Sequence, residues 1–153
     1  MALHTVAGQD TTVGENSDDL CLWMRRLSDC PPVEQTAVIT CSSAMHGEEP
    51  GTWFYVEADV ALGLARRRCV GCATETTMLD SGEEWTFPQM HACLGCGQSM
   101  VELAAGLHLE SVGERDVVTW IAIGARCVAC GRIAGLTDIR PLPAPPEDIL
   151  AAL

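Results

Sequence analysis

Two short segments, Cys93-Leu-Gly-Cys96-Gly97 and Cys127-Val-Ala-Cys130-Gly131, restrict this chain more than any other feature. A Cys-x-x-Cys turn lets two thiolates point at one cation while backbone amides around the turn face the sulfurs. The Gly after each second Cys suits the positive-φ backbone that such a turn needs. Two such turns on facing hairpins supply four sulfurs at tetrahedral angles, which is what Zn2+ accepts in a closed structural site. One Cys-x-x-Cys is shared with redox motifs. A matched pair points to a metal.

A third pair, Cys69-Val-Gly-Cys72, brings out a repeat. Arg68-Cys69-Val70 is followed by Met78 and Asp80, and Arg126-Cys127-Val128 is followed at the same offsets by Leu136 and Asp138. Upstream, Asp59-Val60 and Asp116-Val117 precede the two pairs at offsets one residue apart. Cys93-Leu-Gly-Cys96 in the second half corresponds to Cys41-Ser-Ser-Ala44 in the first. This reads as a duplicated metal-holding unit. It assigns Cys93, Cys96, Cys127 and Cys130 to one site, and Cys41, Cys69 and Cys72 to another. Ala44 stands where a fourth Cys would be, and His46 in the same loop is the candidate that completes a Cys3His set. Cys30 and His91 are the other candidates for that place. A competing pairing joins Cys69 and Cys72 to Cys93 and Cys96 and leaves Cys41 beside Cys127 and Cys130. The duplicated pairing is preferred, because the alternative makes the matching Arg-Cys-Val flanks a coincidence.

Around these pairs the pattern is that of short strands and turns. Val60, Leu62 and Leu64 alternate with small residues, and Val117 to Ile123 is a stronger strand. Gly47–Gly51, Asp80–Gly82 and Gly113–Asp116 are expected loops. Before them, Leu20, Trp23, Met24 and Leu27 fall on one helical face, with Asn16 or Ser17 as cap, Asp18 and Asp19 in the first turn and Arg25 and Arg26 in the last. Cys21 beside that face reads as a small core residue. The expected fold is a small β-rich (α+β) zinc-stabilised fold. Residues 1–15 are expected to be disordered, 16–30 to form the amphipathic helix, and 33–88 and 89–140 to form two tandem zinc-ribbon-like β units. Residues 141–153 make a Pro-rich tail with a short helix, and the tail is read as a strap over the β units.

Those units, about two thirds of the chain, resemble the zinc-ribbon class, whose fold is β-hairpins carrying Cys-x-x-Cys-Gly knuckles. The resemblance implies a module of the transcription or translation machinery, or an adaptor. The Cys93–Cys130 spacing is also similar to rubredoxin, an iron electron carrier. Rubredoxins commonly place Pro inside the second knuckle and an aromatic after the first knuckle's Gly, where this chain has Val128-Ala129 and Gln98.

Composition narrows the function. Net charge is −12, from 21 acids against nine Lys and Arg, and such a field repels phosphate backbones. Only Arg66-Arg67-Arg68 forms a basic run, so structured RNA is the one nucleic-acid partner worth weighing. The nine cysteines are an odd count with narrow spacings, unlike a secreted disulfide scaffold, and Met1 to Asn16 lacks signal-peptide character. No stretch has the length of a membrane span. The expected protein is cytoplasmic and not an enzyme, since the deaminase signature His-x-Glu before Pro-Cys-x-x-Cys is missing and the Cys pairs follow strands rather than open helices. Two Zn2+ ions and a protein partner with a basic surface are expected, in an adaptor or regulator. The alternative is an iron electron carrier or a thiol- or metal-responsive redox protein.

Overall fold

A computed structural model describes residues 3–5, 11–27, 31–59, 62, 64–79 and 89–153. In chain order these form β1 (His4–Thr5), β2 (Thr12–Val13), α1 (Ser17–Arg25), β3 (Gln35–Val38), a 3-10 turn (Ala44–His46), β4 (Phe54–Asp59), β5 (Leu64–Cys69) and β6 (Glu75–Thr77). Then follow β7 (Gln89–Met90), β8 (Val101–Val112), β9 (Arg115–Cys127), β10 (Arg132–Ile139) and α2 (Pro146–Ala151). The architecture is mostly antiparallel β-sheet with few helices.

The main path of the sheet runs β1-β2-β10-β9-β8-β4-β5-β6, with β3 also on β8 and β7 also on β4. Within it, β4-β5-β6 and β8-β9-β10 are two three-stranded meanders that meet edge to edge. They join through one antiparallel pair, Phe54 opposite Val101. Phe54 also faces Cys69 across the first hairpin, and Val101 faces Cys127 across the second. The two residues at the join therefore hold corresponding places, and the strand order reads the same from either side of it. The backbone repeats the correspondence: Val70 N–H donates to Trp53 O, and Val128 N–H to Met100 O. The expected first unit, 33–88, is not self-contained in its pairing, since β3 lies along β8 from Leu107 to Ala104.

Each face of β8 and β9 has its own core. Val101, Leu103, Ala105 and Leu107 join Ile121 and Ile123, and pack with Phe54, Val56, Ala65 and Met78 of the first meander. On the opposite face the small residues Ala104, Gly106, Ala122 and Gly124 lie beside Trp120, and there α1 lies down through Leu20 and Met24. A Cβ on Gly124 would stand 3.2 Å from the Met24 sulfur, so the helix sits as low as it does because that face is nearly bare.

The helical face read from Leu20, Trp23, Met24 and Leu27 is the one that packs, and the Asn16 side chain caps it by accepting from Asp19 N–H. The helix ends at Arg25, short of the expected residue 30, with residues 28–30 outside the described ones. Residues 1–15 differ from expectation where they are described. Thr12 and Val13 pair with Ile133 and Arg132, and Gly14 N–H donates to Gly131 O, so this short strand takes the open edge of β10. Arg115 and Asp116 belong to β9 rather than to a loop, because the β8–β9 hairpin closes in the two residues Gly113-Glu114. The expected loop at Asp80–Gly82, Val60 and the candidate Cys30 lie outside the described residues.

Candidate metal centres

Strand pairing brings the thiols together in two groups. Cys41, His46, Cys69 and Cys72 form one, and Cys93, Cys96, Cys127 and Cys130 the other, with all ligand atoms of a group within 4.8 Å of one another. The grouping follows the duplicated pairing rather than the competing one. His91 is in neither group. Either cluster could hold a metal ion.

Backbone turns set the sulfurs. In the three Cys-x-x-Cys knuckles, the first Cys carbonyl accepts from the residue after the second Cys: Ala73 onto Cys69, Gly97 onto Cys93 and Gly131 onto Cys127. All three donors have positive φ, at 60°, 78° and 80°. The fourth corner is different. Cys41 exchanges both backbone hydrogen bonds with Gly51, across a loop longer than the Cys93–Gln98 turn that holds the equivalent place. That longer loop contains the 3-10 turn, which swings His46 over Cys69, with Nε2 3.3 Å from Sγ. Two glycines make room for the imidazole. A Cβ on Gly51 would stand 2.8 Å, and on Gly71 2.9 Å, from His46 Cε1.

Distances test whether the donors suit a metal. Sγ···Sγ separations are 3.7 Å for Cys41–Cys72 and 3.6 Å for Cys93–Cys130 and Cys96–Cys127. A tetrahedron with Zn–S of about 2.3 Å has edges of about 3.8 Å, and a disulfide would need about 2.05 Å. For one sulfur and one imidazole nitrogen the edge is about 3.5 Å. Both donor sets fit a tetrahedral cation with all four positions filled.

Burial and hydrogen bonding pull the thiols in opposite directions. Cys41 and Cys127 are pushed up, by desolvation first. Cys72 is drawn down to about 6, chiefly by the Thr74 hydroxyl, whose oxygen lies 3.0 Å from Sγ. For Cys93, desolvation is outweighed by the amides of Cys96 and Gly95 together with the Cys130 and Cys127 thiols, and the thiol falls to about 7. A divalent cation would draw all of them to thiolate, releasing protons as it binds.

Around the donors stand residues that spacing alone did not single out. Arg126 donates from Nε to Gly14 O and from Nη1 to Glu102, which ties the N-terminal strand to the knuckle beginning at Cys127. Asp19, 1% exposed, accepts from Glu15 N–H at the start of α1. Arg67 is 7% exposed and lies on the same buried face of β5 as Cys69. The basic run is therefore no basic patch: Arg66 pairs with Glu57, Arg67 is buried over Phe54, and Arg68 lies over Tyr55. A cleft of about 730 Å³ opens beside the second cluster between Trp23, Met90, His91, Leu94, Arg132 and Leu136. Among the described residues no helix is long and apolar enough to cross a membrane.

Compared with known proteins, the chain matches no family model, no curated protein and no solved structure, so its function rests on the chemistry of the two clusters.

Proposed function

We propose that this is a structural-zinc protein that works by binding another protein. Its two zinc-ribbon-like units would be held by Cys41, His46, Cys69 and Cys72 and by Cys93, Cys96, Cys127 and Cys130. One observation carries the reading: each cluster offers four donors at tetrahedral spacing, which leaves no open position for a substrate or an activated water. Zinc fits the thiolate-rich set without redox chemistry. Such clusters need reduced thiols, so a cytoplasmic setting follows.

Binding is then the remaining work for a small acidic surface. With a net charge of −12, a partner with a basic face suits it, in an adaptor or regulator such as serves transcription or translation. Structured RNA is disfavoured, because Arg66, Arg67 and Arg68 are each engaged within the fold. The iron alternative has little support, as Trp120 packs under α1 with Leu20 and Met24 rather than with a cluster.

Elemental analysis of protein purified without added metal is the test. Two zinc ions per chain are expected in colourless protein. Iron in red protein would replace the adaptor reading with the electron carrier, and an absence of metal with all thiols titratable would end both. For the partner, capture from cell extract should weaken steeply with added salt.

A further inference from the structure

Arg132 stands half-buried with no carboxylate to answer its charge. It opens β10, and its side chain runs along the Cys93–Cys96 knuckle. A Cβ on Gly95 would meet its Cδ at 3.4 Å and its Nη1 at 3.6 Å, so the bare knuckle leaves it room. Among the described residues its guanidinium has neither a hydrogen bond nor an ion pair. Arg26, Arg115 and Arg140 share that lack, but they are exposed. With 21 acids against nine Lys and Arg, the chain has carboxylates to spare for a partner. A guanidinium partly withdrawn from water is unfavourable unless an anion meets it.

Arg132 lines the cleft of about 730 Å³. Around it, α1 brings Trp23, β7 brings Met90, β10 brings Leu136 and the knuckle brings Leu94. Met90 is 50% and Leu94 87% exposed, so apolar surface here is left facing water. His91 adds an imidazole with no hydrogen-bond partner among the described residues. Asp59 also lines the cleft, but it is 1% exposed and its carboxylate accepts from Leu62 N–H. The charge this cleft offers is therefore positive. Small-molecule sites are clefts of about 300–1,000 Å³ with apolar walls and a few polar groups that fix orientation.

We propose that this cleft binds a small organic acid, its carboxylate on Arg132 and its apolar body among Trp23, Met90, Leu94 and Leu136. A guanidinium takes a carboxylate through two parallel N–H donors, and His91 offers a further N–H to the bound molecule. The apolar body covers side chains that water would otherwise wet. This site is independent of the adaptor reading. A chain that takes up the acid and captures no protein keeps the first and loses the second.

Two probes of one shape test it on the full metal-loaded chain: 2-naphthoate and the neutral 2-naphthamide. Naphthoate should shift the amide resonances of Met90, His91 and Gly135, and should bind at least tenfold more tightly than the amide. Arg132→Gln should bring the acid down to the level of the amide, with metal content unchanged. Arg132→Lys, which keeps the charge without the planar fork, should retain only part of the preference. Leu94→Ser, at an exposed position that the fold does not need, should weaken acid and amide alike. A metal-filled second cluster is itself anionic, and offsetting its charge is the other work open to Arg132. In that case the two probes would bind equally, and the proposal is overturned. It is overturned as well if naphthoate moves none of those amides, or if Arg132→Gln keeps the acid's advantage.

Discussion

The two clusters lie at corresponding places in the sheet but are held by unequal scaffolds. The second stands at the end of a hairpin of twelve- and thirteen-residue strands with a core on each face. The first stands on two six-residue strands whose partner β6 has three residues. Hairpins of that size are marginal alone in water. At the second cluster every corner is a thiol in a Gly-closed knuckle. At the first, one corner is an imidazole on a long loop, and the knuckle closes on Ala73. A bound ion would therefore do more of the folding work in the first meander, where packing does less.

Removing both ions gives the largest expected effect. A structural zinc contributes roughly 10–16 kcal/mol in small finger peptides, comparable with a whole domain's stability of about 5–15 kcal/mol. Chelation should abolish the single cooperative transition, and zinc under reducing conditions should restore it. Amide exchange should then separate the halves, with Ala65 to Thr77 losing protection first while Leu103, Leu107 and Ile121 retain the most. Equal loss in both halves would mean that the long hairpin lends no independent stability.

Graded chelation should release one ion before the other, the first cluster giving way because it has three thiolates and a neutral ligand. Cys41→Ser should accordingly cost less metal affinity than Cys127→Ser, read by competition with a zinc indicator. Acid acts on both in the same sense. Protons compete with the cation for thiolates, and Cys41 and Cys127 are already pushed up, so zinc affinity falls as pH falls. If the two serine variants behave alike, the difference in donor set has no energetic weight.

Glycine positions sharpen the comparison at a smaller scale. Gly97 and Gly131 have nearly the same φ, but a Cβ on Gly97 meets nothing within 4 Å, whereas one on Gly131 meets Gly14 O at 2.6 Å. Gly97→Ala should cost about 1–2 kcal/mol, the left-handed penalty alone. Gly131→Ala should cost more, because the contact that anchors the N-terminal strand must also give. Urea melts of zinc-loaded protein would measure both. The smallest effect is a gain: Ala73→Gly should relieve the left-handed residue of the first cluster and stabilise by about 0.5 kcal/mol, after Gly's own entropy is subtracted. A loss there would show that the Ala73 methyl group has packing value.

Local chemistry was legible in the sequence, and distant chemistry was not. Knuckles are written in four or five consecutive residues, so Cys69–Ala73, Cys93–Gly97 and Cys127–Gly131 could be read directly, and their matching flanks indicated which thiols would converge. His46 was reachable because the repeat left a gap at Ala44. The helix face of Leu20 and Met24 was legible from its period, though nothing local said that Gly106 and Gly124 would receive it. Arg67 was misread as part of a surface run, since only the registration of β5 against β4 turns it inward. The anchoring of Gly14 by Arg126 spans the chain, and no short window contains it. Two-residue strands such as β2 have no periodicity to detect; the edge they fill determines them.

The join at Phe54 and Val101 has a consequence for ancestry. Corresponding residues that pair antiparallel with each other flank a local two-fold axis, which is how an isologous homodimer closes. A polypeptide of half this length, carrying one meander and one cluster, would extend its sheet across a second copy of itself by the same pairing. Were the two halves copies of one such unit, covalent fusion would make that encounter intramolecular and free them to differ, one with long strands and four thiols, the other with a shorter frame and a histidine. Among the described residues α1 and α2 have no counterpart in the other meander, so they break a symmetry that a dimer of identical halves would keep.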